Sequence, residues 1–419
     1  MKRFFTMMQL AILLPMGYGD SSDAASPTYR FGFREELYSS GGQSPSAVAI
    51  NDFNREGYLD IAVANFGNPF SEDLIGGNIV AILFNFGNGE FYHFAPASTS
   101  LVGEGPMALA SGDFDDDGDI DLAVGSANSD ELALMLNSGS GVFDSTLNIP
   151  AGGDQLSLAV AELDGLPGID LAAGNYRRGS VTLLVPSTDP FRLAALSTTT
   201  VGMKGRESRL ECDAKLTPAA CGFGGTRVAA GDLDGDGMAD IAVANQDGHS
   251  VGWYLNRGRG VLKVAGRRNM EGNPLGLTLA DLDGDEKIDL VVTNPADERV
   301  SIFRNVGSPK FGDPLEFDVR VDEYVHTPGP VVAADIDRDG LNDLAVANIN
   351  HGSVSLLRNL GRGRFAPPQA IRVGALPEAL AAGDLDQDGD IDFVTANAAD
   401  NTISVMLNVS ASREFAADP

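Results

Sequence analysis

From about Phe31 onward, short apolar runs alternate with clusters of turn residues in a fixed order. EALAAGD leads into an acidic loop, IDFVTAN leaves it, and NTISVMLN follows a polar turn; elsewhere a fourth run opens on an apolar residue, as in GRFAPPQAIRVG. Runs of this length, rich in Val, Ala, Leu and Ile and bounded by Gly, Asn and Asp, are too short for ordinary helices and predict antiparallel strands. In five units a proline stands seven residues ahead of the acidic loop, at Pro45, Pro106, Pro274, Pro328 and Pro377, where a residue without an N–H suits the start of a strand.

The order repeats seven times. The acidic loops span 52–60, 113–121, 162–170, 232–240, 281–289, 335–343 and 384–392, and the closest neighbours are 49 residues apart. Four-stranded units repeated at this period make a propeller, so the expected fold is all-β with seven blades. The last unit runs out at REFAADP with almost no fourth strand, whereas a spare segment, Phe31 to Ser40, precedes the first loop. That segment is expected to supply the missing strand and close the ring, which removes the exposed edges of an open array.

Composition narrows the function classes. The chain has 419 residues and a formal net charge of -30, which disfavours nucleic acid or an anionic membrane as partner. Residues 1–19 carry Lys2 and Arg3, an apolar run to Met16 and the small-x-small triplet Gly17-Tyr18-Gly19, the layout of a secretory signal peptide. Residues 20–30 then form a linker and 31–417 a single propeller. No later stretch is apolar enough to span a bilayer. Secretion, or export to a periplasm, would allow Cys212 and Cys221 to pair as a local disulfide.

The loops have the spacing D-x-D-x-D-G-x-x-D. Carboxylates at alternate positions of a tight turn converge on one point, and without a cation they repel. Hard Ca2+ takes six to eight oxygens and suits such a set. The ninth-position Asp leads into a strand, which separates the loop from a helix-flanked calcium loop. Complete sets are Asp113, Asp115, Asp117 and Asp121; Asp232, Asp234, Asp236 and Asp240; Asp335, Asp337, Asp339 and Asp343; and Asp384, Asp386, Asp388 and Asp392. The first loop offers Asp52, Asn54, Glu56 and Asp60 and should bind more weakly. The fifth keeps Asp281, Asp283, Asp285 and Asp289 but has Glu286 where the others have Gly. The third, with Glu162, Asp164 and Asp170 around Leu166 and Pro167, is expected to be empty, leaving about six calcium sites.

On these loops, the I-A-V-A-N strands behind them and turns such as NFGNGEF and NLGRGRF, the chain resembles the FG-GAP/VCBS repeat family over roughly residues 31 to 417. The best-known fold of that family is the seven-bladed propeller of integrin α-subunits, and the resemblance implies the calcium-loop fold more directly than it implies a partner. Blades of this kind put the acidic loops and third-to-fourth turns on one face. The second-to-third turns and the links between blades lie on the other.

Both large insertions, FGNPFSEDLIGGN in the first unit and Ser187 to Gly225 between the third and fourth, fall on that second face. With them come Arg177, Arg178, Lys204, Arg206, Arg209 and Arg227, and the aromatic residues Phe66, Phe70 and Tyr176, as a candidate ligand face. Arg257, Arg259, Arg362 and Arg364 are expected to balance the acidic loops, and Trp253 occupies a core position. HExxH, GxSxG and P-loop motifs are absent, and His93, His249, His326 and His351 share no spacing. The expected role is a non-enzymatic adhesion module for an extracellular protein or glycan. A polysaccharide-cleaving propeller or a structural component of a surface assembly are the alternatives, with the oligomeric state open.

Overall fold

The computed structural model describes residues 31–409 apart from 68–77, 94–101, 167, 177–178, 187–192, 201–225 and 308. The signal peptide and linker expectations, Cys212 and Cys221, Phe70, Arg177, Arg178, Lys204, Arg206 and Arg209 lie outside the described residues. Among those described there is no helix, so none is long and apolar enough to cross a membrane.

Seven four-stranded antiparallel sheets form the seven blades. Blade six is typical, with strands Pro328–Ala334, Asp343–Asn348, Ser353–Leu357 and Gln369–Arg372 in sequential order. First strands of successive blades touch one another all the way round, including Pro377–Gly383 of blade seven against Pro45–Asn51 of blade one, and the ring closes. The outermost strand of blade seven is Phe33–Ser39, paired antiparallel with Thr402–Asn408 from Phe33 opposite Asn408 to Ser39 opposite Thr402. The chain crosses from its beginning to its end within one sheet, as the spare segment implied. First strands open on Pro45, Pro106, Pro328 and Pro377, whereas blade five starts at Leu277, three residues beyond Pro274.

The core lies between blades rather than inside any one of them. Each second strand buries all six residues, because a blade has a neighbour on each face. That explains why these runs read as continuous Val, Ala, Leu and Ile rather than as an alternation. Seven hydrophobic clusters correspond to the seven interfaces. Between blades four and five, for example, Trp253 stacks edge-on against Phe311 with centroids 4.9 Å apart, beside Val292 and Phe303. Each such fully buried side chain contributes about 1.5–3 kcal/mol.

Candidate metal centres of the acidic loops

Every acidic loop is a hairpin between the first and second strands, and its own carboxylates shape it. The first-position Asp accepts the N–H of the sixth residue in six loops: Gly57, Gly118, Gly237, Glu286, Gly340 and Gly389. The sixth residue has positive φ, from 83° to 89° for the five glycines, and Glu286 is held at 64° in the same region. A side chain there is strained, as the sequence implied. The fourth position also turns left-handed, at Arg55, Asp116, Gly235, Gly284, Arg338 and Gln387, a requirement the D-x-D-x-D-G pattern conceals because varied residues meet it.

The ninth-position Asp has a different task. Asp60, Asp121, Asp240, Asp289, Asp343 and Asp392 are fully buried, and each accepts two backbone N–H groups. Oδ2 takes the N–H of the loop's second residue at 2.7–3.2 Å, and Oδ1 takes the N–H of an Asn at the end of the third strand at 2.6–2.9 Å. One carboxylate therefore ties three strands of its blade together. Burial, opposed by these N–H groups, pushes Asp60, Asp121, Asp343 and Asp392 up to about 7 and Asp240 and Asp289 to about 6. The neighbouring loop carboxylates raise them further.

The Asn that meets this carboxylate reaches across the ring. Asn85, Asn137, Asn256, Asn305, Asn359 and Asn408 donate Nδ2 to the second-position carbonyl of the preceding blade's acidic loop: Leu385, Phe53, Leu163, Leu233, Leu282 and Ile336, at 2.7–2.9 Å. Six of the seven junctions carry this staple. In blade three the equivalent residue is Pro186, which has no N–H to give, and Asp170 Oδ1 is left buried without a hydrogen-bond partner. Its Oδ2 accepts both Leu163 and Asp164 N–H instead, at 2.6 and 2.9 Å.

Carboxylates converge within 4.8 Å in several loops, among them Asp113, Asp115 and Asp121; Asp232, Asp234 and Asp236; and Asp281, Asp283 and Asp285. Glu162, Asp164 and Asp170 converge as well, in the loop expected to be empty. Oδ1 of Asp234, Asp283 and Asp384 is buried with no hydrogen-bond partner. All-oxygen donors, orphaned buried carboxylate oxygens and an excess of negative charge fit a hard divalent cation.

Arginines supply part of the balance. Arg257 pairs with Asp234 and Asp236 at 3.2 and 3.5 Å, Arg304 with Asp283, and Arg358 with Asp337 and, at 3.2 Å, Asp339. Arg55 and Arg338 reach into the next loop, to Asp119 and Asp390. Of the arginines expected in this role only Arg257 pairs with loop carboxylates. The Arg259 N–H donates to the Asp164 carbonyl, and the Arg364 side chain to carbonyls of its own turn. Arg304 and Arg358 sit at the ends of third strands rather than in the third-to-fourth turns.

The asparagine staples place the third-to-fourth turns beside the acidic loops, and the opposite face gathers the links and second-to-third turns. There Ile349 N–H donates to the Thr327 carbonyl, Met270 N–H to His249 and Tyr176 N–H to Asp154. Phe66 and Tyr176 are half-buried rather than fully exposed. Phe66 lines a depression with Gln43, Met107 and Asn401. Half-buried Arg227, at the mouth of a cleft between first strands, donates to the Leu156 carbonyl at 2.5 Å and shares that cleft with Glu378.

A closed ring of seven four-stranded blades, each carrying an acidic hairpin on one face, defines a repeat propeller. Residues 52–124, 113–165, 232–292, 281–346 and 335–395 match the FG-GAP-like repeat, and the chain belongs to that family. No curated protein matches it in sequence. The fold is shared with virginiamycin B lyase from Staphylococcus aureus (TM-score 0.56, 11% identity, covering 90% of this chain and 99% of that one). It is also shared with BBS1N, solved in complex with ARL6DN (0.59, 13%, 90% and 96%). A third relative in fold is the periplasmic gluconolactonase of Pseudomonas aeruginosa (0.54, 15%, 83% and 88%). Binding and catalytic propellers both stand among these structures.

Proposed function

We propose that the chain is a secreted, calcium-stabilised propeller that binds an extracellular protein or carbohydrate through the face opposite its acidic loops. The observation that supports it best is the division of labour between faces. On the loop face, the carboxylates are engaged in shaping hairpins and tying strands, and the orphaned Oδ1 atoms of Asp234, Asp283 and Asp384 point to a cation as structural partner. Calcium held by the first, third, fifth and ninth positions would neutralise the loops and fix them; it has no catalytic part in this reading. The opposite face carries the depressions around Phe66 and Arg227 and, in the sequence, the first-unit insertion and residues 201–225; the link expected from Ser187 is shorter than that, because Leu193–Thr200 is the fourth strand of blade three. A Cys212–Cys221 disulfide would restrain the longer insertion in an oxidising compartment.

Elemental analysis of the dialysed protein should find several calcium ions per chain, and a chelator should lower its melting temperature. A calcium-free protein with an unchanged melt would remove the metal from the proposal. Glycan and extracellular-protein arrays, run on the intact chain and on one trimmed between residues 201 and 225, beyond the fourth strand of blade three at Leu193–Thr200, test the ligand face. Binding lost on trimming supports it, and binding unaffected by trimming places recognition elsewhere.

A further inference from the structure

Two of the four histidines, His326 and His351, are 25 residues apart in sequence and stack in space, with ring centroids 4.0 Å apart and planes inclined by 24°. His326 ends the link from blade five to blade six, and His351 lies in the second-to-third turn of blade six. Both therefore sit on the face away from the acidic loops. Asp322, at the start of the same link segment, faces both rings: its Oδ2 is 3.1 Å from His351 Nε2 and its Oδ1 is 3.7 Å from His326 Nε2.

Hydrogen-bond chemistry sets the state of His326. Its Nδ1 lies 2.7 Å from the Tyr324 carbonyl, which only accepts, so Nδ1 carries the proton. In the neutral ring Nε2 is then a bare lone pair. That atom is fully buried, has no hydrogen-bond partner, and faces a carboxylate oxygen that is also an acceptor. Two acceptors directed at each other across 3.7 Å are unfavourable unless something positive lies between them. His351 is the opposite tautomer when neutral: its Nε2 donates to Asp322 Oδ2 at 3.1 Å and its Nδ1 accepts from Ser353 Oγ at 2.8 Å, so a metal ion at this point would take the place of the Nε2 proton.

We infer that Asp322, His326 and His351 form a binding site for one divalent transition-metal ion of the Zn2+ class, separate from the calcium loops. The three ligand atoms lie within 4.8 Å of one another. Zn–N and Zn–O bonds of about 2.0–2.2 Å in tetrahedral geometry put ligand atoms ~3.3–3.5 Å apart, and the stacked rings must tilt toward a common point to bring both Nε2 lone pairs onto the ion. Nitrogen donors select zinc-like ions over calcium. The Tyr324 carbonyl and Ser353 hydroxyl act as the outer partners that orient ligating imidazoles. Three protein ligands leave a fourth position open, and it adjoins a shallow depression lined by Tyr324, Val325, Asn350 and Arg372.

The test is a Zn2+ titration of the full chain in excess Ca2+, read by competition with a chromophoric chelator. Co2+ is added in parallel as a spectroscopic probe. One Zn2+ per chain and a visible Co2+ band of low-coordinate N/O ligation are expected. His351→Gln and Asp322→Asn should weaken Zn2+ by more than ~100-fold and abolish the band, and Ser353→Ala by about 10-fold. His326 is fully buried and the His351 side chain is 5% exposed, so Asp322→Asn, at a position 34% exposed, keeps the test independent of folding. No Zn2+ bound above the calcium background, or equal binding by wild type, His351→Gln and Asp322→Asn, overturns the assignment. The calcium content of each variant, measured alongside, reports the loop sites independently.

Discussion

Removing a single asparagine staple should loosen one junction of the ring. Asn305 is 3% exposed; its Nδ2 donates to the Leu233 carbonyl of blade four at 2.8 Å and to Ile288 at 3.2 Å, while its Oδ1 accepts the Gly307 N–H at 3.0 Å. Asn305→Ala deletes all three hydrogen bonds and leaves the Leu233 carbonyl buried without this donor. At about 1 kcal/mol per bond, with an extra penalty for the stranded carbonyl, the loss is about 3–5 kcal/mol. Trp253 is the one tryptophan and packs at this same blade-four to blade-five interface, so its fluorescence during urea unfolding reports the junction directly. Asn88→Ala is the control, because exposed Asn88 accepts only the Glu90 N–H of its own turn. A loss below about 1 kcal/mol for Asn305→Ala, or one equal to the control, would refute the view that these asparagines couple blades.

Two further substitutions should stabilise the fold. Pro186→Asn restores an N–H opposite the orphaned Asp170 Oδ1 and a side chain able to reach the Phe114 carbonyl. The expected gain is about 1 kcal/mol after the ~0.4–1 kcal/mol that proline contributes by restricting the unfolded chain, and an unchanged urea midpoint would count against the missing-staple reading. Glu286→Gly relieves a left-handed non-glycine residue at φ 64° and should gain about 0.5–1 kcal/mol in chelator-treated protein; a loss there would show that the Glu286 side chain makes a contact worth more than its strain.

Much of the architecture was legible because one motif recurs at nearly constant spacing. Seven acidic loops gave seven blades, the spare Phe31–Ser40 segment gave the closure, and the Trp253 register with Leu134 and Ile302 placed it in the core. The third-strand asparagines were visible in NLGRGRF and its relatives, but their role was not, because their second partner is a carbonyl 72 to 93 residues distant in Asn305 and Asn256. The fourth-position left-handed turn was invisible for a different reason: Arg, Asp, Gly and Gln all fill it.

The histidine pair escaped because spacing was compared between repeats. His326 belongs to a link and His351 to a turn, so they are never equivalent, yet the rule that links and second-to-third turns share a face would have brought them together. The candidate ligand face was legible only as a location. Backbone order puts Phe66 and Tyr176 there, but their partial burial depends on neighbouring blades that a one-dimensional reading does not weigh.

Closure by the N-terminal strand also sets an order of events during synthesis. Phe33–Ser39 leaves the ribosome near the beginning, but its partner, Thr402–Asn408, is made near the end. At ~5–20 residues per second the first strand waits on the order of 20–75 s for its place. Its sequence, FREELYS, is dominated by polar and charged residues and leaves Arg34 and Glu35 exposed even in the finished ring. A strand built this way resists pairing with other nascent chains while it waits. Completion of the propeller therefore depends on the Phe33–Ser39 segment remaining solvated until Thr402–Asn408 arrives.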